Sequence, residues 1–228
     1  MKLKRTKSLG EFPLFEGLDE RALSEIQART QTRIAQKGRL LYLPGDESDT
    51  VFFLASGRIK LSRLSDSGKE LILEMVEPCS FFGEAGVLDE KPRETVAEAL
   101  EPSTLYAVPA AMFRAVLRRE PSLLMALTRI MGRRQKELEK RLMDVVYKNA
   151  PQRLADLLLQ LSQSYGVRDQ RGILLRIKLS QSALGNLLGV SREIVNHTFS
   201  GLKRRGVIGV TEGRVIIQNP QALAELAA

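Results

Sequence analysis

The sequence has very few side chains that bind metals or redox groups through sulfur or imidazole. Its 228 residues include one cysteine, Cys79, and one histidine, His197. A single thiol cannot close a disulfide within the chain, and it cannot supply the several thiolates of a zinc site or an iron–sulfur cluster. Haem needs axial ligands, and the one histidine has a different role in the interpretation below. We therefore expect no metal centre, no haem and no iron–sulfur cluster, and Cys79 is either a bystander or a redox-reactive thiol.

Long apolar runs are also missing. No stretch approaches the roughly 18 apolar residues of a membrane-spanning helix, and the basic residues 1–7 are not followed by the apolar region of a signal peptide. The sequence also lacks a nucleophile-elbow motif, a phosphate-binding P-loop and a cluster of metal ligands. These absences predict a cytoplasmic protein that is not an enzyme and has no membrane partner.

The formal net charge of +8 is unevenly distributed along the chain. Residues 150–228 carry ten Lys and Arg against five Asp and Glu, whereas residues 1–149 carry 25 against 22. This concentration of positive charge in the last third of the chain is typical of a module that binds a polyanion, although an ordinary solvated surface would also account for it.

The first 120 residues change from a helical to a strand-like pattern. The spacing of Leu18, Leu23 and Ile26 predicts helix within residues 12–37. Short runs rich in β-branched and apolar residues follow, separated by turns that contain Gly or Pro. These runs are residues 39–43, 51–55, 58–64, 71–76 and 104–108. Several short strands at this spacing predict a barrel, a sandwich or a roll.

A long uninterrupted helix is predicted to begin at Pro121 and to end at about Lys148, which corresponds to about 40 Å. Apolar residues recur in it every three or four positions. They are Leu123, Leu127, Ile130, Met131, Leu138, Leu142 and Val145. Such a stripe either packs against its own domain or pairs with a second copy of the chain.

A break follows the long helix. Asn149 is a favourable helix cap and Pro151 fits the first turn of a new helix, so a domain boundary and a hinge are predicted here. The chain is thus divided into the segments 1–120, 121–148 and 149–228.

The last segment has the pattern of a winged helix-turn-helix. The predicted elements are, in order, a strand over 173–179, a helix over 181–188 capped by Ser180, a tight turn at 189–191, a helix over 192–205 capped by Ser191, and a hairpin over 207–218. The bland alternative is that two helices and a hairpin only cover a domain, with a polar helix face toward water.

The second helix of this pair has side chains suited to reading bases. Arg192 and Asn196 share one face near its N-terminal end, and Glu193 and His197 share the adjacent face. Arg can bind guanine, Glu can accept from the amino group of cytosine, and Asn can read adenine, whereas Lys and Arg further along are suited to phosphates. The predicted DNA-contacting residues are Ser180, Gln181, Ser191, Arg192, Glu193, Asn196, His197, Lys203, Arg204 and Arg214.

Motifs along nearly the whole chain resemble those of one family. The segments Gly189-Val-Ser-Arg-Glu-Ile-Val195 and Leu202-Lys-Arg-Arg-Gly-Val-Ile208 are similar to the C-terminal domain of the CRP/FNR regulators. The segments Pro44-Gly-Asp46, Phe53-Leu-Ala-Ser-Gly57, Phe82-Gly-Glu-Ala85 and Pro92-Arg93 resemble the cyclic-nucleotide-binding roll of that family.

This resemblance implies an α+β fold with an N-terminal jelly roll of the cyclic-nucleotide-binding type, a long dimerisation helix and a C-terminal winged helix-turn-helix. It also implies a homodimer through the helix 122–147, an inverted-repeat site in double-stranded DNA, and contact with RNA polymerase. In the cAMP receptor branch, Arg192 and Glu193 match base-reading residues, but His197 stands where that branch has Arg. The alternative function is a cyclic-nucleotide-binding module that regulates a partner protein.

The resemblance locates an effector site but does not identify the effector. In the cAMP-binding branch Glu84 matches the ribose ligand and Arg93 a phosphate ligand, whereas Glu94 replaces a serine that holds the phosphate. A carboxylate about 4 Å from a phosphate would cost up to about 4 kcal/mol, unless it points away. In place of the residues that hold adenine, the chain has Leu138 and Glu139. These departures argue against cAMP.

A second branch, the 2-oxoglutarate-sensing nitrogen-control regulators, offers another effector. Arg93, Arg134 and Glu139 match residues that line its effector site, and Arg binds carboxylates bidentately. The simpler interpretation is that Arg93 and Arg134 form structural salt bridges with Glu84 or Glu139. A 2-oxoglutarate-like effector, a nucleotide and no effector therefore all remain open. The predicted effector-site residues are Phe82, Gly83, Glu84, Arg93, Glu94, Arg134, Leu138 and Glu139.

Overall fold

The computed structural model describes residues 7–227, apart from the side chain of Asp169. The basic N-terminal residues 1–6 lie outside the described part of the chain. The chain divides into two compact units, residues 1–136 and residues 137–228. Among the described residues, no helix combines the length and the apolar character needed to cross a membrane.

The first unit begins with helical turns and one α-helix. Two short 3-10 turns precede α1 (Glu20–Arg29), and the carboxylate of Asp19 caps α1 by accepting from the Arg21 N–H. The predicted helix over residues 12–37 is wrong after Thr30, because Gln31–Ala35 forms strand β1. The pattern failed there because the ladder with a distant strand determines the conformation of this segment.

Two antiparallel sheets form the centre of the first unit, with strand orders β1-β8-β3-β6 and β2-β7-β4-β5. The remaining strands are β2 (Leu40–Tyr42), β3 (Thr50–Ser56), β4 (Ile59–Leu64), β5 (Glu70–Val76), β6 (Phe81–Phe82), β7 (Val96–Ala99) and β8 (Ser103–Pro109). The five predicted strand runs correspond to β2, β3, β4, β5 and β8. Strands β1, β6 and β7 were not predicted, since they are short or lack a clear alternation.

Strand β3 is buried on both of its faces. Successive side chains of a strand point to opposite faces, and Phe52 and Leu54 join a core that draws on both sheets. Val51 and Phe53 join a second core that lies against the helices of the unit. The roll therefore has one core between its sheets and one beneath its helices, which confirms the predicted roll.

Three further helices begin in the first unit: α2 (Glu84–Asp89), α3 (Ala110–Arg119) and α4 (Pro121–Tyr147). Helix α4 agrees with the predicted long helix within one residue. Leu123 and Leu127 are buried in the helical core, whereas Leu138 and Leu142 are 57% and 64% exposed. The apolar stripe thus has two parts, one buried in the first unit and one exposed after residue 136.

The second unit contains helices α5 (Ala150–Tyr165), α6 (Gln181–Leu188), α7 (Arg192–Arg204) and α8 (Pro220–Ala227) and a sheet of strand order β11-β12-β10-β9. Its strands are β9 (Gly166–Asp169), β10 (Gly172–Leu175), β11 (Ile208–Thr211) and β12 (Arg214–Ile217). The predicted N-cap is confirmed, because the Asn149 side chain accepts from the Gln152 N–H. The predicted strand over 173–179 ends earlier, at Leu175, because the chain leaves the ladder to enter α6. Strand β9 and helix α8 were not predicted.

Candidate nucleic-acid interface and effector pocket

Serine caps begin both helices of the helix-turn-helix. The Ser180 hydroxyl accepts from the Ala183 N–H at 3.0 Å, and the Ser191 hydroxyl accepts from the Ile194 N–H at 3.4 Å. Helix α6 ends at Gly189, whose backbone is left-handed with φ 65°. Glycine adopts this conformation without a steric penalty, so the chain can turn directly into α7. These features confirm the predicted caps and turn.

Gly185, inside α6, is a residue of the helix-turn-helix that sequence reasoning missed. A Cβ atom at this position would lie 2.7 Å from the carbonyl oxygen of Val190, which is closer than a real contact. The main chain after α6 therefore packs directly against α6. A glycine in a helix interior is otherwise unfavourable, and this cost was the signal that could have identified it.

Helix α7 has one buried face and one exposed face. Val195, Phe199 and Leu202 are buried and anchor the helix to the second unit. The four predicted base-reading residues are all exposed. They are Arg192, Glu193, Asn196 and His197. The period of 3.6 residues places Glu193 and His197 opposite the anchoring side chains, whereas Arg192 lies on the same side as Phe199 but is exposed in the first turn. The N-terminal turns of α7 therefore present polar groups to solvent.

The carboxylate of Glu193 is stabilised in its charged form. Hydrogen bonding to its own backbone N–H lowers the pKa of Glu193, and a hydrogen bond with the Ser191 side chain lowers it further. An ionised carboxylate in the first turn also suits the positive end of the helix dipole. Glu193 is therefore available as an acceptor, the role that recognition of a cytosine amino group requires.

The predicted phosphate-binding residues lie in the last turn of α7 and in the β11–β12 hairpin. Lys203 and Arg204 are exposed in the last turn of α7, and Arg214 is partly buried at the start of β12, with its Nη1 4.0 Å from a carboxylate oxygen of Glu212. Lys178 is a further cation that sequence reasoning missed, because it fell within the predicted strand. It is exposed beside Gly213, in the turn of the β11–β12 hairpin.

A cavity of about 310 Å³ lies in the first unit, beside the start of α2. Its lining contains four basic and four acidic side chains. They are Arg63, Lys91, Arg93 and Arg134, and Glu74, Glu84, Asp89 and Glu94. Of the predicted effector residues, Gly83, Glu84, Arg93, Glu94 and Arg134 line this cavity. Phe82 does not, because it is fully buried in the core between the sheets.

Arg93 is held inside the fold and is 5% exposed. Its two Nη groups donate to the backbone carbonyl oxygens of Gly83 and Thr50, and its guanidinium lies over the ring of Tyr42, 4.5 Å from the centroid. Its Nε is buried and has no hydrogen-bond partner among the described residues. Burial lowers the pKa of Arg93, and the negative charges nearby oppose this shift. The two Nη groups of Arg93 thus donate to the main chain, whereas its Nε–H remains available as a donor.

Glu84 and Arg134 form an ion pair beside the cavity. Arg134 Nη1 lies 2.7 Å from Glu84 Oε1, and Arg134 Nη2 donates to the carbonyl oxygen of Phe81 at 2.6 Å. Burial raises the pKa of Glu84, and the charge of Arg134 opposes the shift. The simpler sequence interpretation is therefore confirmed for Arg134, which pairs with Glu84. Arg93 binds main-chain oxygens instead.

Glu94 lines the cavity but is already paired, whereas Leu138 and Glu139 lie outside it. Glu94 forms an ion pair with Arg63, and both side chains are more than half exposed. Leu138 and Glu139 are exposed residues of α4 that belong to the second unit, and neither lines this cavity. The structure thus brings together five of the eight predicted residues. In the described part of the chain, no three His, Cys, Asp or Glu side chains are grouped as metal ligands would be.

Two family models match the chain in the order of its two units. The cyclic nucleotide-binding domain matches residues 32–120, and the Crp-like helix-turn-helix domain matches residues 152–226. The chain is 30% identical to the cyclic AMP receptor protein of Thermus thermophilus over 94% of this chain and 96% of that protein. It is 27% identical to the global nitrogen regulator of Synechococcus elongatus over 83% of this chain and 86% of that protein.

The fold has solved relatives as well. The c-di-GMP-responsive global regulator CLP of Xanthomonas campestris superposes with a TM-score of 0.78 at 19% identity, covering 87% of this chain and 99% of that one. At this identity the likeness concerns the fold. The matched domains, their order and the exposed polar face of α7 agree, and the chain therefore belongs to the CRP/FNR family of DNA-binding transcription regulators.

Proposed function

We propose that this protein is a homodimeric transcription regulator that binds an inverted-repeat operator and is controlled by a small anionic effector in the cavity of its first unit. The observation that carries the DNA-binding part is the N-terminal end of α7, where four polar side chains are exposed on a helix that three buried apolar side chains anchor. In this proposal, the effector binds to segment 1–120. Segment 121–148 joins the two copies, and segment 149–228 binds DNA. RNA polymerase in the cytoplasm is the further partner.

Selection from random-sequence duplex DNA with the full chain tests operator binding. We expect enrichment of a palindrome whose half-sites lie about one helical turn apart. The variant Ile34→Thr, at an exposed position of strand β1 in the first unit, serves as a control and should select the same sequence. Failure of the unmodified protein to enrich any sequence at low salt, with or without candidate effectors, would sink the proposal.

The exposed part of the α4 stripe supports the homodimer. Leu138, Leu142 and Val145 recur at helical spacing and are each more than half exposed, and a second copy of the same helix would bury them. We expect Leu142→Glu to shift sedimentation equilibrium from dimer toward monomer and to weaken binding to the palindrome. Lys140→Glu, on another face of the same helix, introduces the same side chain and should leave the dimer intact.

Arg93 supports an anionic effector, because its buried Nε has no partner among the described residues. We propose 2-oxoglutarate as the first compound to test, since Arg binds carboxylates and the chain resembles the nitrogen-control branch. Glu94 forms an ion pair with Arg63. This pairing reduces the repulsion expected between Glu94 and the phosphate of a nucleotide. Calorimetric titration with 2-oxoglutarate, and with cAMP beside it, decides between them. If neither gives heat nor changes operator affinity, the regulator works without these effectors.

A further inference from the structure

The helix-turn-helix brings the side chains of Gln181 and Asn196 into contact. Gln181 is the first residue of α6, and Asn196 lies one turn after Arg192 on the exposed face of α7. Gln181 Nε2 donates to Asn196 Oδ1 at 3.4 Å, and Ser200 Oγ donates to the same oxygen at 3.5 Å. The carbonyl oxygen of Asn196 has two lone pairs, and each now has a protein donor.

This arrangement changes what Asn196 can offer to a base. An asparagine reads adenine by accepting from the N6 amino group while donating to N7. With its oxygen engaged by Gln181 and Ser200, Asn196 has only its two amide N–H groups left. Guanine presents two acceptors in the major groove, N7 and O6, and so matches a pair of donors better than adenine does.

We propose that Asn196 is a donor-only base reader, oriented by Gln181 and Ser200, which selects guanine and rejects adenine at its position in each half-site. This inference rests on the proposed function, sequence-specific DNA binding, and names the specificity of that same surface. It differs from the expectation from sequence, in which Asn196 reads adenine.

The neighbouring side chains divide the recognition face by chemistry. The guanidinium of Arg192, four residues before Asn196 on the same face, also carries donors and no acceptor. The ionised carboxylate of Glu193 lies on the adjacent face and only accepts. The Arg192 and Asn196 face thus suits acceptor edges such as guanine, while Glu193 suits the amino group of cytosine.

Selection from random-sequence duplexes with the full chain tests this inference. The position read by Asn196 is the one that loses its preference in Asn196→Ala. At this position we expect the unmodified protein to favour guanine over adenine by about tenfold or more. Asn196→Asp keeps an oxygen for Gln181 and Ser200 but has no donor, so the preference should move to a base that donates, cytosine or adenine.

A double variant tests the role of the two orienting residues. Gln181→Met with Ser200→Ala removes both donors to Asn196 and leaves Asn196 itself in place. Its oxygen is then free, and adenine should become acceptable at the same position, with a rise of about tenfold relative to guanine. Arg204→Ala is the control: loss of a phosphate contact should weaken binding to all sequences without changing the profile.

The outcomes separate this inference from the proposed function. If the unmodified protein enriches no sequence, sequence-specific binding fails, and the inference fails with it. An enriched palindrome with adenine at the Asn196 position overturns the inference alone. The same holds if Asn196→Ala relaxes no position, or if the double variant leaves the rejection of adenine unchanged.

Discussion

The arginines beside the cavity have partners within the protein, whereas those of α7 are exposed to solvent. Arg93 and Arg134 are held by carbonyl oxygens and by Glu84, and Arg93 and Glu84 are buried. Arg192 and Arg204 lie at the surface of α7 and are exposed. The same residue type is therefore part of the fold in one region and is presented to solvent in the other.

Substitutions beside the cavity should therefore change stability, and substitutions on α7 should change DNA binding. Removing a buried donor leaves its acceptors without a hydrogen bond, which costs stability. Removing an exposed side chain changes stability little, so its loss should be visible in binding. Substitutions of arginine and glutamate in the two regions test whether stability and DNA affinity respond separately.

The largest effect is expected for Arg93→Met, which keeps much of the apolar stem but removes the donors to Thr50 and Gly83. We expect the free energy of unfolding to fall by about 3 kcal/mol, because a buried and a part-buried carbonyl oxygen lose their donor. Urea unfolding of the full chain, followed by circular dichroism, measures this. Arg63→Met, at a half-exposed position, is the matched control and should cost less than about 1 kcal/mol. Equal small losses would show that Arg93 is not structural.

Arg192→Ala should have the opposite profile. We expect operator affinity to fall by about tenfold to a hundredfold, because a base contact is lost, while the free energy of unfolding changes by less than about 0.5 kcal/mol. Fluorescence anisotropy with the selected operator and the same urea titration provide the two readouts. A large loss of stability would show that Arg192, like Arg93, stabilises the fold, and the proposed difference between the two regions would be wrong.

Glu84→Gln should change how stability depends on pH. Burial raises the pKa of Glu84 above its ordinary value of 4.5, so the folded protein binds this proton more tightly than the unfolded chain. The stability that Glu84 contributes is then fully present below pH 4.5 and is lost as the pH rises through the folded pKa. Glutamine cannot ionise, and the variant should gain stability relative to the unmodified protein as the pH rises above 4.5. If the stability of the variant relative to the unmodified protein instead falls as the pH rises, the charge of Arg134 outweighs burial in setting the pKa of Glu84.

The smallest effect is expected for Glu94→Gln. Its ion pair with Arg63 is more than half exposed on both sides, and such pairs contribute about 0–1 kcal/mol. Urea unfolding should therefore barely distinguish this variant from the unmodified protein, and added salt should remove what difference there is. A loss above about 2 kcal/mol would contradict the exposed position of the pair.

Much of the second unit could be predicted from sequence because its signals are local. Ser180, Ser191 and Asn149 are caps whose partners lie three residues away. The exposure of Glu193 and His197 follows from the helical period, because the three buried apolar residues lie on the other side of α7. Gly185 was missed because its neighbour, Val190, approaches through the turn rather than along the helix.

The first unit was predicted less completely because its decisive contacts are distant in sequence. Strand β1 pairs with β8, some seventy residues further along, and no periodicity within β1 announces that ladder. The effector residues were located by resemblance, but Phe82 belongs to the core and does not line the cavity. Nothing local distinguishes Phe82 from the adjacent Gly83, which does line it.

The sequence alone was enough to predict the order of the roll, the long helix and the helix-turn-helix. It also predicted the caps of the helix-turn-helix and the polar residues at the start of α7, since caps and periods act over a few residues. Which charged and polar side chains already have hydrogen-bond partners within the protein depends on the tertiary structure. Arg93 meets Thr50 across 43 residues, Arg134 meets Glu84 across 50, and Asn196 meets Gln181 across 15. A hydrogen bond satisfies a donor wherever along the chain its acceptor comes from, and so the folded chain alone shows which groups remain for DNA or an effector.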